Sequence, residues 1–180
     1  MNVARRAAVA AAVALAGSAA GAPVHTCELV LSEHRGTRTL ARLPLNPGSP
    51  TFRVAFTHSV LGTPVEDRYV LRRAGSGWQA VLVEERWQGE GYGLPVAAGP
   101  GERLERDGDG WRLSLARVVH PLVVRPLPAQ GMRVLVDGRP PLVLGDLGMP
   151  PPTSAAMRAE CCGRTTEEPG SASTTPTSTP

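Results

Sequence analysis

The chain of 180 residues contains no lysine; all 19 of its basic residues are arginines. Two of these, Arg5 and Arg6, stand in an N-terminal leader, and without them the arginines match the 16 acids to within one. Most of the formal charge of +3 therefore belongs to the leader, and the rest of the chain is nearly neutral. No basic stripe follows, which excludes the electrostatic footprint of a nucleic-acid partner. Cysteine is scarce and odd in number: Cys27, Cys161 and Cys162. Adjacent cysteines rarely bridge each other, so Cys27 can pair with Cys161 or with Cys162, or all three can remain thiols. No C-x-x-C, H-E-x-x-H or EF-hand spacing is present, and His58, Asp67, Glu84, Glu85 and His120 are donors without a metal-ligand pattern. No metal or other cofactor is expected. There is no G-x-S-x-G elbow, no internal repeat and, beyond the leader, no amphipathic helical period.

Long apolar runs are confined to the start. Arg5 and Arg6, the apolar stretch from Ala7 to Ala16 and Ala20-Gly21-Ala22 form the three parts of a secretory signal peptide over residues 1–22. The apolar part is too short to span a bilayer comfortably. The protein is accordingly expected in the periplasm or outside the cell. Membrane attachment would require a lipid on Cys27, but Val24-His25-Thr26 lacks the small residue that normally precedes such a cysteine.

What fills the chain instead is short alternating runs separated by Gly, Pro and Asp-Gly turns. Thr51 to Tyr69, TFRVAFTHSVLGTPVEDRY, is the most regular. Phe52, Val54, Phe56 and His58 share one side of a strand, and Val65, Asp67, Tyr69 and Leu71 share one side of the return run. Matching the apolar sides across a turn at residues 60–64 places His58 opposite Val65, Phe56 opposite Asp67 and Val54 opposite Tyr69. His58 and Asp67 then become diagonal neighbours on the inner face, about 5–8 Å apart at Cβ.

Further strands are expected at Cys27–Leu31, Thr37–Leu43, Trp78–Trp87, Arg103–Arg106, Trp111–Arg117, Val118–Arg125, Met132–Val136 and Pro141–Leu147. In Trp78–Trp87 the alternation puts Trp78, Ala80 and Leu82 on one side and Val81, Val83 and Trp87 on the other. Many short strands with turns between them predict an all-β fold, a small single-domain β-sandwich or partly closed barrel of antiparallel strands over residues 27–147. From residue 148 the chain turns Pro/Ser/Thr-rich and is expected to be a disordered tail.

The segments FTHSVLGTPVEDRY and EERWQGEGYGLP together resemble the bacterial domain of unknown function 1850 family. Thr57, His58, Ser59, Val60, Thr63, Pro64, Val65, Asp67 and Tyr69 carry the first block, and Gly91, Gly93, Leu94 and Pro95 the second. The resemblance implies a small exported protein, with genes often beside TRAP-type transporters of the TAXI kind, and hence an accessory role in the envelope. Its partners would be a transporter subunit, a solute receptor or a small-molecule ligand.

The candidate binding residues are His58, Ser59, Thr63, Pro64, Glu66, Asp67, Tyr69, Trp87, Gln88, Gly91, Tyr92 and Gly93. Tyr92 would act as a lid on a glycine-rich loop, with Trp87 and Gln88 as walls. Adjacent strand residues point to opposite faces, so His58 does not activate Ser59. Two readings result: a non-enzymatic envelope binding or accessory protein, and a small hydrolase or other enzyme using His58 with Asp67 or Glu66. A pocket formed by the Gln88–Pro95 loop over His58 would favour the second, and a shallow site the first.

Overall fold

The computed structural model describes residues 26–46 and 48–162. The expected leader over 1–22 and the chain beyond 162 lie outside them. Eleven strands form two antiparallel sheets: β1 (Thr26–Glu33), β2 (Thr39–Leu45), β3 (Thr51–Thr57), β4 (Pro64–Ala74), β5 (Gly77–Trp87), β6 (Arg103–Asp107), β7 (Gly110–Val119), β8 (Leu122–Val124), β9 (Arg133–Leu135), β10 (Leu142–Val143) and β11 (Ala155–Cys162). The smaller sheet runs β2-β1-β11-β8 and the larger β10-β9-β3-β4-β5-β7-β6. They do not close into a barrel, and the architecture is a β-sandwich. Leu144–Leu147, expected to continue a strand, is a turn of 3-10 helix instead.

The core comes from alternate residues of facing strands. Leu29 and Leu31 of β1 and Met157 of β11 meet Phe52, Val54, Tyr69, Leu82 and Leu113 of the larger sheet. Phe52 stacks on Tyr69 with ring centroids 5.1 Å apart.

Three further expectations are corrected. The domain does not end at residue 147, because β11 lies between β1 and β8 in the middle of the smaller sheet. Ala155 and Met157 are buried, and Ala159 and Cys161, two and four residues on, pack on the core. The prolines before this strand mask an ordinary period-two pattern whose inward residues, Met157 apart, are small. Cys27 and Cys161, register partners on β1 and β11, form a disulfide, leaving Cys162 as an exposed thiol.

The second correction is the hairpin register. The observed pairs are Phe56 with Val65, Val54 with Asp67 and Phe52 with Tyr69, two residues away from the expected ones. A two-residue shift keeps every side chain on its face, so alternation alone cannot detect it. The third lies in β5, where a bulge between Leu82 and Glu84 interrupts pairing with both neighbours. One extra residue reverses the alternation, so Glu85 and Trp87 join Trp78, Ala80 and Leu82 on the inner face.

Candidate functional site

At the end of the larger sheet, β3 turns into β4 through residues 58–63. The His58 N–H donates to the Thr63 carbonyl (2.8 Å), and the Gly62 N–H to the His58 carbonyl (2.9 Å). The His58 side chain turns back on the same loop, where Nδ1 accepts from the N–H groups of Val60 (3.3 Å) and Leu61 (3.2 Å). The imidazole therefore caps a turn, much as a short polar side chain caps a helix. It leaves the strand to do so, which is why β3 ends at Thr57 and the register moves. His58 lies opposite Thr63, four residues from Asp67, or about 13 Å along an extended strand. The expected His58–Asp67 pair does not form.

The second loop, residues 88–102, is joined to this turn. The Thr63 hydroxyl donates to the Gln88 carbonyl (2.8 Å), and Leu61 lies against Gly89, where a Cβ would come within 3.0 Å of its Cδ1. The Gln88 amide donates to Asp109 in the β6–β7 turn (2.9 Å). Gly110 there is irreplaceable by geometry, because a Cβ would stand 2.3 Å from the Trp87 carbonyl oxygen. At the far end of the loop the Gly99 N–H and the Arg117 guanidinium both donate to Glu102, whose carboxyl they hold below its usual range. Leu94 packs on the core. The two sequence blocks thus form one connected end of the sheet.

An open groove of about 390 Å³ runs beside this end, with Arg53, Glu66, Arg86, Gln88, Asp109 and Trp111 among its walls. Pro64 and Trp87 contribute to it, but His58, Asp67 and Tyr92 do not. Glu66 lies on the outer face, opposite Ala55 and Arg86, and accepts from Arg53 (3.3 Å). Trp87 is 3% exposed and belongs to the core, its indole N–H lacking an acceptor. Ser59 is exposed. Tyr92 is no lid: it is 70% exposed, carried between Gly91 and Gly93 on a backbone with φ of 80°, 54° and 91° across the three residues.

Asp67 faces inward in the row Val54–Asp67–Glu85–Leu113–Leu104, which crosses five strands. The Val54 and Leu113 that flank the two acids are almost completely buried. Burial first, and then the neighbouring Glu85 charge, push the Asp67 carboxyl up to about 7, against the pull of the Tyr69 hydroxyl donating to it at 3.5 Å. Glu85 is raised by burial, with Arg117 opposing, and its Oε2 has no hydrogen-bond partner. Burial and the Asp67 carboxylate raise Tyr69 as well. The Asp67–Glu85 contact was hidden by the β5 bulge, since simple alternation does not predict that Glu85 shares a face with Leu82. Among the described residues no group of three or more His, Cys, Asp or Glu side chains is placed to hold a metal ion.

The family described as "Domain of unknown function (DUF1850)" matches residues 52–142, half of the chain. The match spans β3 to β10 and so takes in both joined loops. No curated protein and no solved structure matches the chain.

Proposed function

The chain belongs to the DUF1850 family, and on that premise we propose that it is an exported, non-enzymatic accessory protein of the cell envelope that docks on a protein partner through its joined loops. The partner we infer is a subunit or solute receptor of a TRAP-type transporter. The observation that carries the reading is where apolar side chains meet water. Among the described residues, large apolar side chains are conspicuously exposed at five positions. Three of these, Val60 (60%), Tyr92 (70%) and Val96 (80%), lie on the two loops that Thr63 and Leu61 hold together. Exposed apolar groups gathered beside charged ones mark interaction surfaces. A tyrosine at positive φ costs free energy that a loop without a task for it would avoid.

The enzyme reading has less support: the Nδ1 of His58 accepts from two backbone N–H groups of its own turn, and His58 is not among the walls of the groove. The adjoining groove is open and charged, which suits a protein surface better than a small substrate.

The test is interferometry between the purified protein and the purified receptor and membrane subunits of a TRAP-type transporter from the same source. Val60→Ser and Tyr92→Ser are exposed changes and should leave stability within about 0.5 kcal/mol. Each should weaken binding about tenfold, or about 1.4 kcal/mol. Absence of binding by the unaltered protein, or full binding by both variants, would refute the assignment.

A further inference from the structure

At the opposite end of the sandwich the two sheets do not fill the space between them. Phe52, Leu71, Trp78, Val119, Leu122 and Met157 are among the residues that surround a space of about 240 Å³ beside the corner where β7 passes into β8. Its origin is legible in the residue types. Ala80 of β5 and Ala159 of β11 stand where larger side chains would close the gap. Protein interiors rarely keep voids larger than a water molecule, and apolar spaces of about 150 Å³ take up benzene. By that scale the space accepts on the order of ten non-hydrogen atoms.

The charge around it has one sign. Arg158 and His120 are the only ionisable residues among its walls, and no acid is present there. The Arg158 guanidinium is already committed to Glu160 and Ser32. Arg73 is not: it is exposed, and among the described residues it makes no ion pair. As the register partner of Trp78 it shares that residue's face, next to the wall that Trp78 forms. His120 is exposed as well, at the β7–β8 corner.

We propose that this space is a binding site for a small amphiphilic monocarboxylate, with its apolar part among Trp78, Ala80 and Met157 and its carboxylate at the rim with Arg73 and His120. The site lies apart from the joined loops and does not depend on their role. An apolar pocket with a few placed polar groups is the usual build of a small-molecule site.

Sodium octanoate, of ten non-hydrogen atoms, is the probe, with 1-octanol and acetate as controls, titrated against the full chain by NMR and calorimetry. Saturable octanoate binding is expected, with shifts centred on the Ala80 and Met157 methyl groups, several-fold weaker binding of octanol and none of acetate. Arg73→Glu, a surface change that leaves the core intact, should weaken octanoate about five- to tenfold and leave octanol unaltered. Ala80→Leu, checked for folding by circular dichroism, should remove both. The proposal falls if octanoate fails to saturate or shifts residues elsewhere. It falls equally if octanol binds as well as octanoate, or if Arg73→Glu binds octanoate like the unaltered protein.

Discussion

Asp67 carries the most exacting quantitative consequence of the fold. Its carboxyl is pushed from 3.8 to about 7, chiefly by burial and then by Glu85. For an acid raised on folding, the folded state keeps a proton that the unfolded state has already released between those two values. The folded state therefore binds more protons than the unfolded, and stability falls as pH rises through the window. The full contribution is present below about pH 4 and lost above about pH 7. Three pH units at 1.36 kcal/mol each amount to about 4 kcal/mol. Residual contact with water and sharing with Glu85 reduce that to about 2–4 kcal/mol. Asp67→Asn keeps the shape and removes the ionisation. At pH 8 it should be more stable than the unaltered protein by about 2–4 kcal/mol, moving the urea midpoint up by about 1–2 M at a slope near 2 kcal/mol per M. At pH 4 the two proteins should agree within about 1 kcal/mol. His58→Ala, which loses only the turn cap, should add to Asp67→Asn within about 0.5 kcal/mol, because the two groups do not touch. Urea melts at half-unit steps from pH 4 to 8.5 decide the matter. An unaltered protein whose stability rises over that range, with Asp67→Asn no more stable at pH 8, would refute the burial argument.

Two further outcomes follow from β11. Ending the chain after Met149 removes the strand that pairs with both β1 and β8, so circular dichroism should show no cooperative melt, whereas ending it after Cys162 should leave the melt cooperative. Replacing Cys27 by Ser opens a disulfide across 134 residues; the chain-entropy estimate is about 5 kcal/mol and measured losses are commonly about 2–4 kcal/mol, so urea melts under oxidising conditions should show a loss in that range, and none between the two proteins after reduction.

Much of the fold was legible because period-two alternation is the dominant constraint on a half-buried strand. Phe52, Val54 and Phe56 share a face with Val65, Asp67 and Tyr69 as that pattern requires. Alternation is blind to shifts of two, however, and the decision between registers fell to His58, whose imidazole prefers backbone donors in the turn to a place in the ladder. It is equally blind to a bulge, so the reversal at Val83 concealed that Glu85 lies beside Asp67. In β11 the inward residues are Ala155, Met157, Ala159 and Cys161, and only Met157 among them has the bulk that marks a core strand. Which cysteine partners Cys27 depends on that strand's register, and the sequence left it open.

Two polar residues of the family's sequence blocks are occupied with backbone. Thr63 spends its hydroxyl on the Gln88 carbonyl, and His58 spends Nδ1 on two amides of its own turn. Gly89 leaves room for Leu61, and Gly91 and Gly93 supply positive φ on either side of Tyr92. A group whose hydrogen-bonding atoms are committed to the main chain has little left for a substrate. The function of such a loop is then carried by what it displays rather than by what defines its shape. Here the displayed groups are Val60, Tyr92 and Val96, side chains with apolar area to bury. The one described carboxyl raised to near neutrality, Asp67, lies inward and outside the groove beside these loops. Chemistry and display are thus segregated on the molecule, which is the arrangement that the docking role proposed above requires.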